Sequence, residues 1–277
     1  MSYKGILDRY GHLFDLPAHT RSIALLEGNT PLIPMPRLAR ELGAAEIYVK
    51  YEGLNPTGSF KDRGMTAAVS EALGRGAETV ICASTGNTAA SAAAYAARAG
   101  MRAVVLIPEG KVAAGKLAGA IAYGAQVIQI EGSFDDALTM VVEITKKTPL
   151  ALVNSINPYR IEGQKSGAFE ICDVLGDAPD WHCLPVGNAG NISAYWMGYK
   201  QYAEVKGTKL PRILGVQAAG SAPLVLGHPV ENPETVATAI RIGKPARGEQ
   251  ALMSAEESRG RIIAQSDKNI LAAQRLL

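Results

Sequence analysis

Cysteine is scarce in this 277-residue sequence: Cys82, Cys172 and Cys183 are odd in number, far apart and each set in an apolar run. That usage excludes a disulfide framework and reads as buried, reduced thiols in a cytoplasmic protein. The four histidines, His12, His19, His182 and His228, form no H-E-x-x-H or Cys/His grouping, so no metal site is expected. An excess of one charge is missing as well. The 28 basic and 26 acidic residues leave a net charge of +2, and no basic run is interleaved with aromatics, which speaks against nucleic acid or a membrane surface as partner. Lys4, Asp8 and Arg9 stand where a leader would need apolar residues, and Arg98 breaks the longest alanine-rich run, so neither a signal peptide nor a membrane span is indicated. What remains is a chain with 47% hydrophobic residues, enough for one large core or two modest ones.

Short Val- and Ile-rich runs at 46–51, 79–83, 103–107, 126–130, 150–154, 181–186 and 212–216 read as strands. Helical patterns at 62–73, 87–99, 114–123, 134–145, 162–175 and 192–203 lie between them, with a shorter one at 37–42. Strand followed by helix, repeated, predicts right-handed crossovers and open parallel sheets of the α/β class. The proline- and glycine-rich region after Ala218 reads as loop until Arg261–Ala264. Ligands of such sheets sit beyond the carboxyl ends of the strands, which directs attention to the turns after Tyr51, Ala83, Val153 and Val186.

The first of these turns, Asn55-Pro56-Thr57-Gly58-Ser59, delivers Lys61 to a helix start. A lysine after a Gly-Ser turn is ordinarily a solvated surface group. At a helix N-terminus, however, the dipole opposes a protonated amine and burial pushes the same way, favouring the neutral amine that attacks a carbonyl. The second turn, Ser84-Thr85-Gly86-Asn87-Thr88, offers hydroxyls and free N–H groups to a carboxylate or phosphate, or simply caps its helix. The run Gly187-Asn188-Ala189-Gly190-Asn191 is built of small residues that let backbone N–H groups approach a phosphate, though a plain strand-to-helix turn would look the same. It matches neither the dinucleotide fingerprint nor a P-loop. Asn154, Ser155 and Arg160 follow the strand at 150–154, and Arg160 suits bidentate clamping of an anion; Lys116 adds a further charge. A carbonyl-bonding lysine, two anion-binding helix starts and an extra arginine together point to pyridoxal 5'-phosphate acting on an anionic amino acid.

E-G-N-T-P-L at Glu27, N-P-T-G-S-F-K-D-R-G at Asn55, S-T-G-N-T-A-A-S at Ser84, N-S-I-N-P-Y-R at Asn154 and G-N-A-G-N at Gly187 resemble the threonine synthases. These are fold-type II pyridoxal phosphate enzymes of the tryptophan synthase β-like class, and the resemblance runs from about Leu26 to the last residue. Dehydratases of serine and threonine, with a glycine-only cup, and cysteine synthases, with a different lysine turn, are weaker fits. The resemblance implies Lys61 as the lysine that condenses with the cofactor's aldehyde, Asn87 as partner of the 3′-oxygen, and Gly187, Asn188, Ala189, Gly190 and Asn191 as the phosphate cup. It implies Ser84, Thr85, Thr88, Lys116, Asn154, Ser155 and Arg160 around the substrate. It further implies a large domain of residues 1–55 and 151–277, a small mobile domain of residues 56–150, and a homodimer.

Family members continue past Ile270–Leu277 into a segment whose Ser or Thr meets the pyridine nitrogen, so the expected fold is C-terminally incomplete. The early start of the pattern fits the form without S-adenosylmethionine activation. The implied reaction is a β,γ-replacement that converts O-phospho-L-homoserine and water to L-threonine and phosphate. The alternatives are a serine/threonine dehydratase, or a truncated paralogue without catalysis.

Overall fold

The computed structural model describes residues 2–109 and 114–277, and the side chains of 114–116, 134 and 135 lie outside that description. In chain order the elements are Ile6–Tyr10 (α1), Leu32–Pro34 (β1), Pro36–Leu42 (α2), Tyr48–Lys50 (β2), Lys61–Gly74 (α3), Thr79–Ala83 (β3), Asn87–Ala99 (α4), Arg102–Pro108 (β4), Ala114–Ala122 (α5) and Gln126–Ile130 (β5). They continue with Phe134–Lys147 (α6), Ala151–Leu152 (β6), Pro158–Leu175 (α7), Trp181–Pro185 (β7), Gly190–Lys206 (α8), Arg212–Ala218 (β8), Pro223–Leu226 (α9), Gly248–Glu257 (α10), Arg261–Gln265 (β9) and Asp267–Leu276 (α11). No helix among the described residues is long and apolar enough to cross a membrane.

The chain divides into two compact units, residues 1–31 with 51–166, and residues 32–50 with 167–277. The first is built on a four-stranded parallel sheet in the order β5-β4-β3-β6. All five residues of β3 are buried, as a central parallel strand covered on both faces requires. α3 and α4 bury Met65, Ala68, Val69, Ala89, Ala92, Ala93 and Ala96 in one cluster with Val80, Cys82, Val105 and Ile107. Ile81, Ala83 and Leu106 point the other way and meet Ala137 and Val141 of α6. Alternate β3 residues thus face two different helix layers.

The second unit holds the parallel sheet β7-β8-β9 and the antiparallel pair β1-β2. The run at 46–51, expected in the parallel alternation, is therefore a three-residue strand of that antiparallel pair. The loop-rich reading after Ala218 missed α10, whose Ala251, Ser254 and Ala255 are buried. Gln250–Glu257 are good helix formers that the neighbouring prolines and glycines outweighed in the sequence pattern. Cys183 is a further correction, since it is exposed while Cys82 and Cys172 are buried. It lies on the edge strand β7, where Trp181, Cys183 and Pro185 all point to an uncovered face.

Candidate active site

Lys61 is the first residue of α3, and no side chain caps that helix start. The turn before it is held by Asp62, whose buried carboxylate accepts from Thr57 N–H at 2.7 Å, Thr57 Oγ1 at 2.6 Å and Ser91 Oγ at 2.6 Å. Arg63 binds Glu52 with a two-pronged pair, both contacts at 2.7 Å, and donates to Thr30 Oγ1 and Ser166 Oγ. Asn55 accepts from Gly28 N–H and donates to Glu52, which ties the segment at 27–31 to the lysine turn. Glu27, fully buried, accepts from Tyr95 Oη and from the N–H groups of Ile6 and Leu25. Sequence reasoning had no role for Glu52, Asp62 and Arg63, although each stands inside a quoted motif.

Burial, aided by the Arg160 charge, pushes the Lys61 amine down to about 7. A large fraction of the amine is therefore neutral and nucleophilic at physiological pH. Arg160 belongs to α7 and not to a loop: that helix starts at Pro158, and Asn157 Oδ1 accepts from the N–H groups of Tyr159 and Arg160. Two glycines bring α3 and α7 together. A Cβ on Gly163 would lie 1.9 Å from the Arg63 carbonyl oxygen, and one on Gly64 would lie 2.6 Å from the Arg160 carbonyl oxygen. The helices touch backbone to backbone there, which sets Arg160 beside Lys61.

The Arg160 guanidinium is 1% exposed and makes one hydrogen bond, from Nη1 to the Val153 carbonyl at 2.8 Å. Its Nε and Nη2 are buried without a partner among the described residues, and no ion pair within 4.0 Å of it is present among them. Burial lowers its pKa to about 10, so it stays charged at neutral pH. A buried cation with donors to spare is costly unless an anion arrives.

The Asn154 carboxamide is engaged with the protein, accepting from Ala83 N–H at 3.0 Å and donating to the Ala83 carbonyl at 2.8 Å. It takes over the sheet pairing where β6 ends, which is why that strand is only two residues long. Its hold on Ala83 fixes the turn leading to α4. There Ser84 Oγ accepts from Gly86 N–H, and no side chain caps the helix, so the first N–H groups of α4 remain open. Ser84 is buried, Thr85 and Thr88 half-buried, and Asn87 exposed. Ser155 is half-buried in the turn after β6. Lys116 is in α5, but its side chain lies outside the described residues.

Gly187–Asn191 follow β7 in the second unit. Ala189 takes the left-handed conformation, φ 64°, as the residue before α8, and no side chain caps that helix. Gly187 is required by packing as well, for a Cβ there would lie 3.0 Å from Ile240 Cα. Asn188 Oδ1 accepts from Ala246 N–H at 2.8 Å, so the loop before α10 braces the cup. Uncapped N–H groups, a left-handed residue and small side chains form an anion-binding concavity.

Residues 23–277 match the family described as pyridoxal-phosphate dependent enzyme. The chain belongs to that family. It is 58% identical to the threonine synthase of Synechocystis sp. over 99% of its own length and 72% of that protein. It is also 58% identical to the threonine synthase of Bacillus sp., over 99% of its length and 78% of that protein. Among solved structures it resembles a bacterial threonine deaminase, that of T.th., at 28% identity and a TM-score of 0.73, covering 94% of this chain and 84% of that one. Within the family the chain sorts with the threonine synthases, and pyridoxal 5'-phosphate is its cofactor. The residues present suit that group: a half-buried lysine with a lowered pKa can condense with an aldehyde, and the uncapped start of α8 can hold a phosphate.

Proposed function

We propose that the protein is a lyase of threonine biosynthesis, converting O-phospho-L-homoserine and water to L-threonine and inorganic phosphate. The observation that carries this reading is Arg160, a fully buried cation with unpartnered donors, set beside Lys61. A dehydratase of serine or threonine needs one phosphate receptor, for the cofactor. Here the glycine cup supplies one, at residues 187–191, and Arg160 supplies a second cationic site. Identity to the two threonine synthases, 58%, against 28% to a threonine deaminase, supports the same choice.

The cofactor, when bound, offers an aldehyde to the substrate's amine and draws electron density from its α carbon. Lys61 accepts and returns protons at the α and β carbons of the substrate, a role its lowered pKa suits near neutral pH. Arg160 receives the substrate phosphate and stabilises its charge as it leaves the γ carbon. The open N–H groups of α4, with Ser84, Thr85 and Thr88, hold the substrate carboxylate or phosphate, and Asn154 keeps their turn in place through Ala83. Gly187–Asn191 hold the cofactor phosphate, and Asn87 meets its 3′-oxygen. Ser155 and Lys116 complete the substrate's surroundings. We also take the protein to be a cytoplasmic homodimer, a reading supported by the free cysteines among the described residues.

The deciding experiment supplies purified, cofactor-loaded protein with O-phospho-L-homoserine and follows phosphate and threonine together. Equal amounts of both are expected. Formation of a 2-oxo acid from threonine or serine, without phosphate release from phosphohomoserine, would assign the dehydratase reaction instead.

A further inference from the structure

Three buried polar atoms on α7 lack hydrogen-bond partners: Arg160 Nε, Arg160 Nη2 and Gln164 Oε1. Two are donors and one is an acceptor. Both residues reach the same small space at Gly64, where a Cβ would lie 2.9 Å from Arg160 Nε and 2.7 Å from Gln164 Nε2. Even a methyl group does not fit at that point, because the Arg160 carbonyl oxygen stands 2.6 Å away. No substrate group can enter so tight a helix contact, so Arg160 Nε must find its acceptor within the protein. Gln164 is 3% exposed, one helical turn beyond Arg160, and presents its nitrogen to that space. A half-turn about the terminal torsion of its side chain brings Oε1 there, and such torsions are broad and roughly two-fold.

We propose that Gln164 is a positioning residue for Arg160: its Oε1 accepts from Arg160 Nε, the Val153 carbonyl accepts from Nη1, and Nη2 alone is left to contact the anionic group of the substrate. Two anchors on a planar guanidinium fix the direction of the third nitrogen. Gln164 thereby governs how well an anion is held without touching it. The inference rests on the reading of Arg160 as the residue that receives the substrate phosphate.

Two variants of the cofactor-loaded protein test it. Gln164→Met keeps an unbranched side chain of similar size and removes the acceptor. Gln164→Glu keeps an acceptor in either orientation but sets a negative charge against the guanidinium. Each is measured for KM and kcat with O-phospho-L-homoserine, for inhibition by inorganic phosphate, for the visible band of bound cofactor, and for thermal unfolding. A buried donor without a partner is worth about 1–3 kcal/mol, so Gln164→Met should raise KM and the inhibition constant of phosphate about tenfold, with kcat and cofactor loading close to the parent. Gln164→Glu should unfold at a higher temperature than Gln164→Met, yet bind phosphate no better. A Gln164→Met protein that binds phosphate as the parent does, or loses cofactor in step with phosphate, would overturn the proposal, as would Gln164→Glu binding phosphate like the parent. Arg160→Met, measured alongside, separates this from the underlying reading. If it too leaves phosphate inhibition unchanged, Arg160 does not hold phosphate at all; if it abolishes inhibition while Gln164→Met does not change it, only the positioning role fails.

Discussion

Gly163 of α7 meets the Arg63 carbonyl of α3 so closely that a Cβ would stand 1.9 Å from the oxygen. An alanine there has a backbone atom as its neighbour, which cannot swing aside, so the helices must part. Overpacking of this kind costs typically about 1–3 kcal/mol, and here no flexible side chain softens it. Gly163→Ala should therefore lower the thermal midpoint by several degrees and, by moving Arg160 away from Lys61, reduce phosphate release more than cofactor binding. A variant with parental stability and activity would show that the helix contact has slack.

The pair of Arg63 and Glu52 makes a second prediction about stability. Arg63 is 1% exposed and engages Glu52, Thr30 and Ser166 at once. Breaking a buried pair strands a charge, at a cost of about 3–5 kcal/mol. Arg63→Met should thus be strongly destabilised in urea unfolding, and Arg63→Lys nearly as much, since an ammonium cannot reproduce the fork. The double variant Arg63→Met with Glu52→Gln should recover part of the loss, because no carboxylate is then left uncompensated. Additive losses in the double variant would mean that the two groups are not coupled.

The alternating strands and helices were legible because buried parallel strands read as short Val- and Ile-rich runs, and each turn carried glycine or small polar residues. Lys61 and the cup stood out by the same turn chemistry. Two things were hidden. Asn154 read as a substrate residue because a polar side chain after a strand gives no sign that its amide pairs with Ala83 across the sheet. The contact of Gly64 and Gly163, which sets Arg160 beside Lys61, joins residues about a hundred positions apart, and a glycine's lack of side chain shows in sequence only as freedom. Glu52, Asp62 and Arg63 were hidden likewise, for charged residues beside a catalytic candidate read as solvated until a partner far along the chain, such as Ser91 or Ser166, is known.

Lys61 predicts a covalent signature. Only a primary amine can bond the cofactor's aldehyde. Lys61→Ala should lose the borohydride-reducible visible band and all turnover while unfolding near the parental temperature. Peptide mapping of the reduced parent should find the cofactor on Lys61, and recovery on another lysine would disprove the assignment.

The lowered pKa of Lys61 carries a pH dependence in the cofactor-free protein. Unfolded, a lysine titrates near 10.4; folded, Lys61 titrates at about 7. Between those values the unfolded chain binds more protons, so stability rises with pH across that window. The penalty is complete below about 7 and gone above about 10.4. Lys61→Met should therefore be more stable than the parent at pH 6 to 7, by no more than a few kcal/mol given the residual solvent contact of the side chain. The advantage should shrink steadily toward pH 10.5. A difference that stays constant with pH would show that the amine titrates normally.

Arg160→Lys tests what the guanidinium supplies beyond its charge. The parent side chain anchors Nη1 on the Val153 carbonyl and still has donors left over. A lysine ammonium can reach one partner or the other with a defined direction, but its rotatable point charge cannot hold both in a plane. The substrate's phosphate should then be bound poorly even though the positive charge survives. KM for O-phospho-L-homoserine should rise by about ten- to a hundredfold, the range of a charge-assisted hydrogen bond worth about 1.5–3 kcal/mol. The cofactor should stay in place, since its phosphate is assigned to the start of α8 and owes nothing to Arg160. The visible band of the loaded protein, titrated against added pyridoxal 5'-phosphate, checks this separately from turnover. Parallel loss of cofactor affinity and substrate affinity would mean that Arg160 contacts the cofactor's phosphate and that the two anion sites have been assigned the wrong way round.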